Sequence, residues 1–311
     1  MAVREFEVDS ALAGTRLDKL LVALIPGLGR RKASRLFEEQ RVRVGGRRAS
    51  KGAVARQGDR ISVDLPDEIG HGVVPEPDAP LVVSLETDRI VVVEKPAGQP
   101  TAPIRDGETG TLANALVGHY PEMADVGHGA REPGLLHRLD TGTSGLVLAA
   151  RDAAAFGSLA EGLKTGALVK EYLAICEAEG LASSGTIEIA LAHHPKDKKK
   201  MYACVHPRDV ARYAPREAST SFRVVRVEGR WALVEAGARA ALRHQIRAHM
   251  AAIGHPLAND ALYGGPLIAG LARHALHASR IVWKGDSAVP AFDVRSVLPG
   301  ELSRLLITPA G

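Results

Sequence analysis

The residue whose surroundings point most clearly to chemistry is Asp140. It ends the stretch Leu135-Leu136-His137-Arg138-Leu139-Asp140, and the turn Thr141-Gly142-Thr143-Ser144-Gly145 leads on into the apolar run 146–150. Two glycines permit a tight loop there, and the Thr and Ser hydroxyls can fix it through hydrogen bonds to nearby backbone. A carboxylate beside Arg138 at the entrance to a strand stays ionised, because a nearby opposite charge favours the charged form.

Two other interpretations also fit this loop. An isolated Asp-x-Gly is most simply an aspartate that caps a turn. Asp-Thr-Gly-Thr-Ser also resembles the active-site loop of aspartic proteases, which need two aspartates that share a proton. No second Asp-Thr-Gly occurs in the 311 residues, so a protease would have to be a homodimer. A chain of 311 residues with a strongly basic segment between Gly14 and Arg60 is unlike the small all-β subunit of a homodimeric aspartic protease.

The sequence around Asp140 matches a known family. Gly134 through Ala150 resembles the first motif of the RluA-type pseudouridine synthases nearly residue for residue. Three further stretches resemble that family in the right order, which makes the resemblance specific. They are Lys95-Pro96-Ala97-Gly98 with 110–116, then Lys170-Glu171-Tyr172-Leu173-Ala174, and finally 244–249 with Gly254-His255-Pro256-Leu257 and Tyr263-Gly264.

The resemblance implies that uridine in structured RNA is isomerised to pseudouridine without a metal or an organic cofactor. The uracil must be detached, turned and rejoined through carbon 5, so the nucleotide is expected to flip out of its stack into a pocket. Asp140 would attack the anomeric carbon or promote formation of a glycal, and the sequence does not choose between them. A carboxylate beside an oxocarbenium-like centre suits either route.

The resemblance also implies roles for other residues. Tyr172 would stack on the base and help to remove the proton from carbon 5, and Arg247 would pair with Asp140. Arg138 would reach into the RNA beside the flipped nucleotide, and Leu146 would line the pocket. Lys170 and His244 are further expected contacts to substrate. His244 and His249 are five residues apart, the wrong spacing for one helix face, so no metal site is expected.

Several positions depart from the family pattern without touching Asp140, Tyr172 or Arg247. Ala241-Leu242-Arg243 replaces a Gly-Arg-Thr-type stretch, and Asn259-Asp260 stands where Gly-Asp is usual. Gln99-Pro100-Thr101 replaces hydrophobic-Val-His, and Glu94 replaces Asn or Asp. Arg243 is a candidate substitute for the displaced arginine. These departures bear on the RNA target rather than on the chemistry.

The elements that precede these motifs carry a strong positive charge. Between Gly14 and Arg60, 13 Lys and Arg stand against four acids, a net charge of +9 within a chain whose total is +4. Such a density predicts a polyanion partner. Leu17, Leu20, Leu21 and Leu24 form one apolar stripe on a predicted helix that Pro26-Gly27 ends.

A second helix is predicted over 30–40, with Ala33, Leu36 and Phe37 buried and with Arg31 and Arg35 on one outward face. Strands are predicted at 41–44 and 61–65, with Gly45-Gly46 as a tight turn. Helix, basic helix and small sheet resemble the alpha-L RNA-binding motif. We therefore predict a small α/β RNA-binding domain at 14–65, in which Arg31 and Arg35 contact RNA.

Pro66–Pro80 contains four prolines and few large apolar residues, so it is predicted to be a linker that does not pack. The catalytic domain is predicted over 81–300. Its predicted strands are 81–83, 90–93, 145–149, 170–176, 220–227 and 232–236, and its predicted helices are 111–120, 153–164 and 244–252. Strands and helices without a strict βαβ rhythm predict an α+β domain on a largely antiparallel mixed sheet.

Composition narrows the setting in which the protein works. No apolar run approaches the roughly 20 residues that span a bilayer, and no secretory signal is seen. Cys176 and Cys204 are too few for a disulfide framework. We therefore expect a cytoplasmic monomer that binds structured RNA, most simply large-subunit ribosomal RNA. The alternatives are a synthase that acts on transfer RNA and a non-catalytic RNA-binding or ribosome-assembly factor on the same fold.

The RNA-binding assignment predicts the effect of reversing two charges. Changing Arg31 and Arg35 together to Glu should weaken RNA binding and flatten its dependence on salt, because fewer counterions are released from phosphates. Filter binding of ribosomal RNA across a salt series measures both. Unchanged affinity in the double variant would contradict the assignment.

Overall fold

The computed structural model describes residues 2–25, 28, 30–65, 73–105, 107–127, 129–238 and 242–307, with backbone alone at 2 and 30–32. The chain forms two compact units, Met1–Ala79 with Ala102–Gly134, and Pro80–Thr101 with Leu135–Gly311. The elements of the first unit are β1 (Ala2–Glu7), α1 (Leu17–Leu24), α2 (Arg30–Glu38), β2 (Val42–Val44), β3 (Arg47–Arg48), β4 (Arg60–Leu65), α3 (Leu112–His119) and a 3-10 helix (Pro121–Asp125). The domain limits predicted from the sequence stay a prediction.

The first unit contains a four-stranded antiparallel sheet in the order β1-β4-β2-β3. Helices α1 and α2 contribute to its core the apolar side chains that predicted them. Helix α2 ends two residues early, because Gln40 takes a left-handed conformation with φ of 57°. Gly45 and Gly46 both have positive φ, as the two-residue turn between β2 and β3 requires.

Two features of the first unit were not predicted. Strand β1 pairs with β4 along its whole length, so the sheet begins before residue 14. The second half of the predicted linker also packs, since Val73 is buried and Glu76 donates its N–H to the carbonyl of Asn114 in α3. Backbone hydrogen bonds hold this segment where apolar side chains are scarce. Residues 66–72 lie outside the described part of the chain.

The second unit is built on a large sheet. Its strands are β5 (Val82–Glu86), β6 (Ile90–Lys95), β7 (Ser144–Ala150), β8 (Leu168–Glu177), β9 (Ser184–Glu188), β10 (Leu191–His193), β11 (Met201–Ala203), β12 (Ser219–Glu228), β13 (Trp231–Ala238), β14 (Leu276–Trp283) and β15 (Phe292–Arg295). Its helices are α4 (Ala153–Thr165), α5 (Pro207–Tyr213), α6 (Gln245–Ala252), α7 (Gly300–Ser303) and a 3-10 turn at Arg304–Leu306.

Nine strands form this sheet in the order β5-β6-β7-β14-β8-β13-β12-β9, with β15 paired to β14, while β10 and β11 form a separate hairpin. Only the pairing of β7 with β14 is parallel among the described strands. The predicted α+β class with a largely antiparallel sheet is confirmed. Central strand β14 was not predicted, because its buried positions include the polar residues His277 and Ser279 and break the apolar pattern.

The parallel pairing of β7 with β14 places the start of β7, next to Asp140, at the centre of the sheet. A Cβ at Gly145 would lie 2.2 Å from the carbonyl oxygen of Ala278, so only glycine permits this approach. One strand position away, His277 bridges Ser144 Oγ at 2.9 Å and Ser296 Oγ at 2.9 Å. Burial lowers the pKa of His277 to about 4, so this bridge is neutral at pH 7.

Two predicted features concern the setting of the protein. No helix among the described residues is both long enough and apolar enough to cross a membrane. Cys176 and Cys204 are both free and buried.

Helix α4 carries two glycines in different surroundings, which gives a test of its packing. A Cβ at Gly162 would lie 2.2 Å from the ring of Trp283, whereas a Cβ at Gly157 meets nothing within 4 Å. We expect Gly162→Ala to lower the free energy of unfolding by about 1–3 kcal/mol through overpacking. Gly157→Ala is the matched control and should raise it by up to about 1 kcal/mol. Urea unfolding followed by tryptophan fluorescence reports both, and equal effects would contradict this packing.

The His277 bridge predicts a pH dependence of stability. Between about pH 6.5 and 4 the unfolded chain binds a proton at His277 that the folded protein does not, so stability should fall as the pH falls through this window. Replacing His277 with Asn should lower stability at pH 7 and reduce that slope by up to roughly 1.4 kcal/mol per pH unit. His206→Asn at an exposed position is the control. An unchanged slope in the His277 variant would count against a buried neutral histidine.

Candidate active site

The loop that carries Asp140 is fixed by backbone hydrogen bonds on both sides. The N–H of Thr143 donates to the carbonyl of Asp140 at 2.9 Å, which closes the turn predicted from Thr141-Gly142. The N–H of Gly98 donates to the carbonyl of Thr141 at 2.7 Å. Behind the turn, Thr143 Oγ1 lies 2.8 Å from Nε2 of buried His274. Asp140 therefore projects from a rigid loop, with its own side chain 23% exposed.

Lys95 is the buried cation that joins this loop to the preceding motif. Its side chain is 1% exposed, and Nζ donates to the carbonyls of Pro96, Gln99 and Thr141 at 2.9, 2.8 and 3.3 Å. Burial lowers the pKa of Lys95 to about 8, and the charge of Asp140 opposes that shift. The Lys-Pro-Ala-Gly motif thus holds the turn after Asp140 in place.

Thr101, one of the departures from the family pattern, makes a similar contact. Its hydroxyl donates to the carbonyl of Leu139 at 2.7 Å and accepts the Leu139 N–H at 3.1 Å. Both backbone groups of the residue before Asp140 are satisfied by this one side chain. The departure therefore preserves support for the loop.

The carboxylate of Asp140 is held by Arg247 of helix α6. Arg247 donates from a terminal nitrogen to Asp140 Oδ2 at 2.8 Å. Its Nε and second terminal nitrogen donate to the two oxygens of Asp260 at 2.7 and 2.8 Å. Arg247 and Asp260 are buried, with 7% and 1% of their side chains exposed. The bidentate pair with Asp260 fixes the plane of the guanidinium, so the remaining donor points at Asp140.

The neighbouring carboxylates keep Arg247 protonated. Burial alone would lower the pKa of Arg247, but the hydrogen bonds and charge of Asp260, and then those of Asp140, raise it. The guanidinium therefore stays charged between two carboxylates. The predicted pairing of Arg247 with Asp140 is present in the structure, whereas the part played by Asp260 was not anticipated.

His244 also faces Asp140. It precedes α6 in a left-handed conformation with φ of 53°, and its Nε2 lies 3.6 Å from Asp140 Oδ2. Its Nδ1 lies 3.1 Å from the hydroxyl of Tyr263, which accepts the N–H of Met201. Burial lowers the pKa of His244 to about 4 despite the charge of Asp140. The imidazole is therefore neutral at pH 7.

Asp140 and His244 line a partly enclosed pocket. The described residues that line it are Arg138, Leu139, Asp140, Thr143, Lys170, Tyr172, Ala238, Leu242, His244, Gln245, Ile246 and Leu276. Lys170 and Tyr172 lie two residues apart on β8 and are both 8% exposed. Leu146, predicted to line the pocket, is instead wholly buried within β7 and is not among these residues. Leu139, Ile246 and Leu276 supply the apolar surface.

The other predicted contact residues are found in different settings. Arg138 lines the pocket and is otherwise exposed. Arg35 of α2 is 77% exposed and pairs with Glu39 at 2.7 Å, while the side chain of Arg31 lies outside the described residues. Arg243 does not line the pocket, since its guanidinium donates to the carbonyls of Lys198 and Lys199.

Asn259 stands where the family usually has glycine, and its backbone adopts the left-handed conformation that glycine takes easily. Its φ is 57°, in the left-handed region that Asn tolerates better than other side chains. The amide also donates to the carbonyl of Leu271 at 2.6 Å and accepts the N–H of Ile268 at 2.9 Å. The departure leaves Asp260 correctly placed beside Arg247.

Sequence patterns missed Lys95, Thr101 and Asp260 as supports of the site. Their contacts to Thr141, Leu139 and Arg247 lie beyond the few residues that local periodicity records. The available signal was an ionisable residue amid apolar neighbours, as at Lys95 after the strand Ile90–Val93. Among the described residues, no cluster of three His, Cys, Asp or Glu side chains is arranged to hold a metal ion.

The geometry can be compared with known proteins. Residues 89–252 match the family of RNA pseudouridylate synthases. A protein of Synechocystis named as an uncharacterized RNA pseudouridine synthase is 30% identical over 303 residues, covering 96% of this chain and 90% of that protein. Ribosomal large subunit pseudouridine synthase D of Xanthomonas campestris is 30% identical over 318 residues, covering 98% and 92%. Its counterpart in Neisseria meningitidis is 32% identical over 312 residues, covering 96% and 80%.

Solved structures agree on the fold. The human protein RNA pseudouridylate synthase domain containing 4 superposes with a TM-score of 0.54 at 23% identity, covering 71% of this chain and 90% of that chain. The human domain containing 1 protein gives a TM-score of 0.51 at 22% identity. The sequence matches and an aspartate held by an arginine in a pocket with a tyrosine lead to one conclusion: the chain belongs to the RNA pseudouridylate synthase family and is an RNA pseudouridine synthase.

Proposed function

We propose that this enzyme converts uridine to pseudouridine in large-subunit ribosomal RNA, with Asp140 as the catalytic carboxylate. The observation that carries the proposal is the hydrogen-bonded series Asp140–Arg247–Asp260, whose first member, Asp140, lines a pocket together with Tyr172. The relatives in Xanthomonas and Neisseria are named for the large ribosomal subunit. The net charge of +9 between Gly14 and Arg60 suits a large folded RNA.

Asp140 is assigned to the sugar. Arg247 occupies its Oδ2, and none of the described residues donates a hydrogen bond to Oδ1. That oxygen is free to approach the anomeric carbon as the bond to uracil breaks, either as a nucleophile or as a counter-charge. The isomerisation involves no net oxidation or reduction, so it needs no redox cofactor.

Arg247 and Asp260 are assigned to orientation. Because Asp260 takes two of the donors of Arg247, only one is left for Asp140, and the carboxylate is held without being enclosed. An arginine free of Asp260 could turn to form a bidentate pair with Asp140 and occupy both of its oxygens. Asp260 thus keeps one oxygen of the catalytic carboxylate available.

Tyr172 is assigned to the base. Burial, and then the charge of Asp140, raise the pKa of its hydroxyl well above the usual range, so the side chain is a phenol at pH 7. None of the described residues accepts its proton, so removal of the proton from carbon 5 falls more naturally to Asp140 once the sugar is released. Packing against the uracil is the role left for the ring.

Four other predicted residues, Arg138, His244, Arg31 and Arg35, are assigned to RNA contact. Arg138 at the rim of the pocket suits the nucleotides that flank the flipped uridine, and neutral His244 can hydrogen-bond to the sugar or base. Arg31 and Arg35 in the N-terminal unit are assigned to phosphates. We further propose that the enzyme works as a cytoplasmic monomer. A non-catalytic RNA-binding factor has no use for three buried or half-buried charges around one pocket.

The proposal predicts the effect of removing the Asp140 carboxylate. Asp140→Asn should reduce the release of tritium from uridine labelled at carbon 5 in ribosomal RNA by roughly 1000-fold or more, because the anomeric centre loses its negative partner. RNA binding should be retained, since the arginines that contact phosphates are untouched.

The control is Asp78→Asn at an exposed position, which should release tritium at the wild-type rate. Equal rates for wild type and Asp140→Asn would refute the role of Asp140. Release from transfer RNA but not from large-subunit ribosomal RNA would refute the target. Mapping of pseudouridine in RNA from a deletion strain then identifies the uridine.

A further inference from the structure

Lys170 is the charged group of the pocket that the roles above leave unused. It lies on β8, two residues before Tyr172, and lines the same pocket as Asp140. The whole residue is 8% exposed, so its cation sits inside the protein rather than on the surface. A buried lysine requires an explanation, because charged side chains are rarely buried unless they are paired.

No pairing is seen for this cation. None of the described residues accepts a hydrogen bond from Lys170 or forms an ion pair with it, in contrast to Lys95, which donates to three carbonyls. Burial lowers the pKa of Lys170 to about 8. Burial and, to a smaller extent, the nearby Lys170 ammonium lower the pKa of His137, which stays neutral. The cation is therefore uncompensated, and functional sites are where such groups gather.

The proposed reaction creates a negative charge on the uracil, which a nearby cation stabilises. When the C1′–N1 bond breaks, its electron pair leaves with N1 and spreads onto the O2 and O4 carbonyl oxygens of the uracil. Asp140 meets the electron-deficient C1′. After the ring turns, C5 supplies the electron pair for the C1′–C5 bond and loses its proton, and N1 takes up a proton. The uracil is thus anionic between the two bond changes.

We propose that Lys170 is a catalytic residue that donates a hydrogen bond to a carbonyl oxygen of the departing uracil and stabilises its negative charge. The proposal rests on the function proposed above and assigns one charged side chain of the pocket to each fragment of the nucleoside. Asp140 serves the sugar and Lys170 serves the base. A fixed charge in a water-poor site acts strongly on a charge that develops in the transition state.

A backbone phosphate is the competing ligand for Lys170. The pocket walls beside it are apolar, with Leu139, Ile246 and Leu276 alongside the Tyr172 ring, which suits a flat base better than a hydrated phosphate. Arg138, exposed at the rim, is better placed for phosphate. A phosphate contact would mainly change affinity and its salt dependence, whereas stabilisation of a leaving group changes the rate of the chemical step.

The test compares two leaving groups in single-turnover reactions with saturating enzyme. One substrate is a ribosomal RNA fragment with uridine at the modified position, and the other carries 5-fluorouridine there. Fluorine withdraws electrons and stabilises the uracil anion, so the fluorinated base depends less on an external cation. Lys170→Met should slow uridine conversion about 100-fold, the order seen when one donor to a developing anion is lost. It should slow consumption of 5-fluorouridine by a distinctly smaller factor.

Stability gives a second readout. A methionine of similar length replaces an unpaired buried charge with an apolar group, so Lys170→Met should leave the melting temperature unchanged or raise it. Lys170→Arg, which retains a cation, should recover part of the rate. Lys164→Met on α4, where the side chain is 74% exposed, is the matched control and should convert both substrates at the wild-type rate.

Each outcome decides the matter. Equal slowing of both substrates, or a change confined to affinity and salt dependence, would overturn the role of Lys170 while leaving the proposed function standing. A lower melting temperature with equal slowing would identify a structural lysine. Failure of the wild-type enzyme to convert the uridine fragment would instead refute the proposed function, and the role of Lys170 with it.

Discussion

The guanidinium of Arg247 is the group on which the arrangement of the site depends. It joins three segments of the chain: α6, the turn that carries Asp260, and the loop that carries Asp140, which is 107 residues from Arg247. Removing one partner of a buried ion pair typically costs about 3–5 kcal/mol, because the charge left behind has no solvent. The three segments therefore depend on one another for their positions. Asp140 owes its position to this constraint as much as to its own turn.

Around this charged centre, three buried histidines add supporting contacts. His274 reaches Thr143, His277 reaches Ser144, and His249 lies between Thr220 Oγ1 and the carbonyl of Ile189. Burial lowers the pKa of all three histidines, so they support the site as neutral hydrogen-bonding rings. The charged side chains that line the pocket are those of Asp140, Arg138 and Lys170.

Sequence reasoning succeeded where the signal was local. The leucine stripe of α1, the Gly45-Gly46 turn and the runs at β6 and β7 depend on neighbours within a few residues, and the structure contains them. It failed at β14, whose buried His277 and Ser279 have partners more than a hundred residues away or across strands. Asp140 and Arg247 were found through motifs of a family. The supporting roles of Asp260, Lys95 and Thr101 became clear only from the structure, because these roles depend on which carbonyl or guanidinium group each side chain contacts.

The parallel pairing of β7 with β14 also bears on how the enzyme is made. Ser144 and His277 are 133 positions apart, and Asp140 and Arg247 are 107 apart. A ribosome releases the chain from its N-terminus, so the basic N-terminal segment leaves the exit tunnel long before the last strand of the catalytic sheet can insert. Contacts between positions so distant in sequence also form slowly. A nascent chain therefore passes through a stage at which the segment proposed to bind RNA is complete while the loop that carries Asp140 is not. The proposed roles then imply that RNA is bound before it is modified.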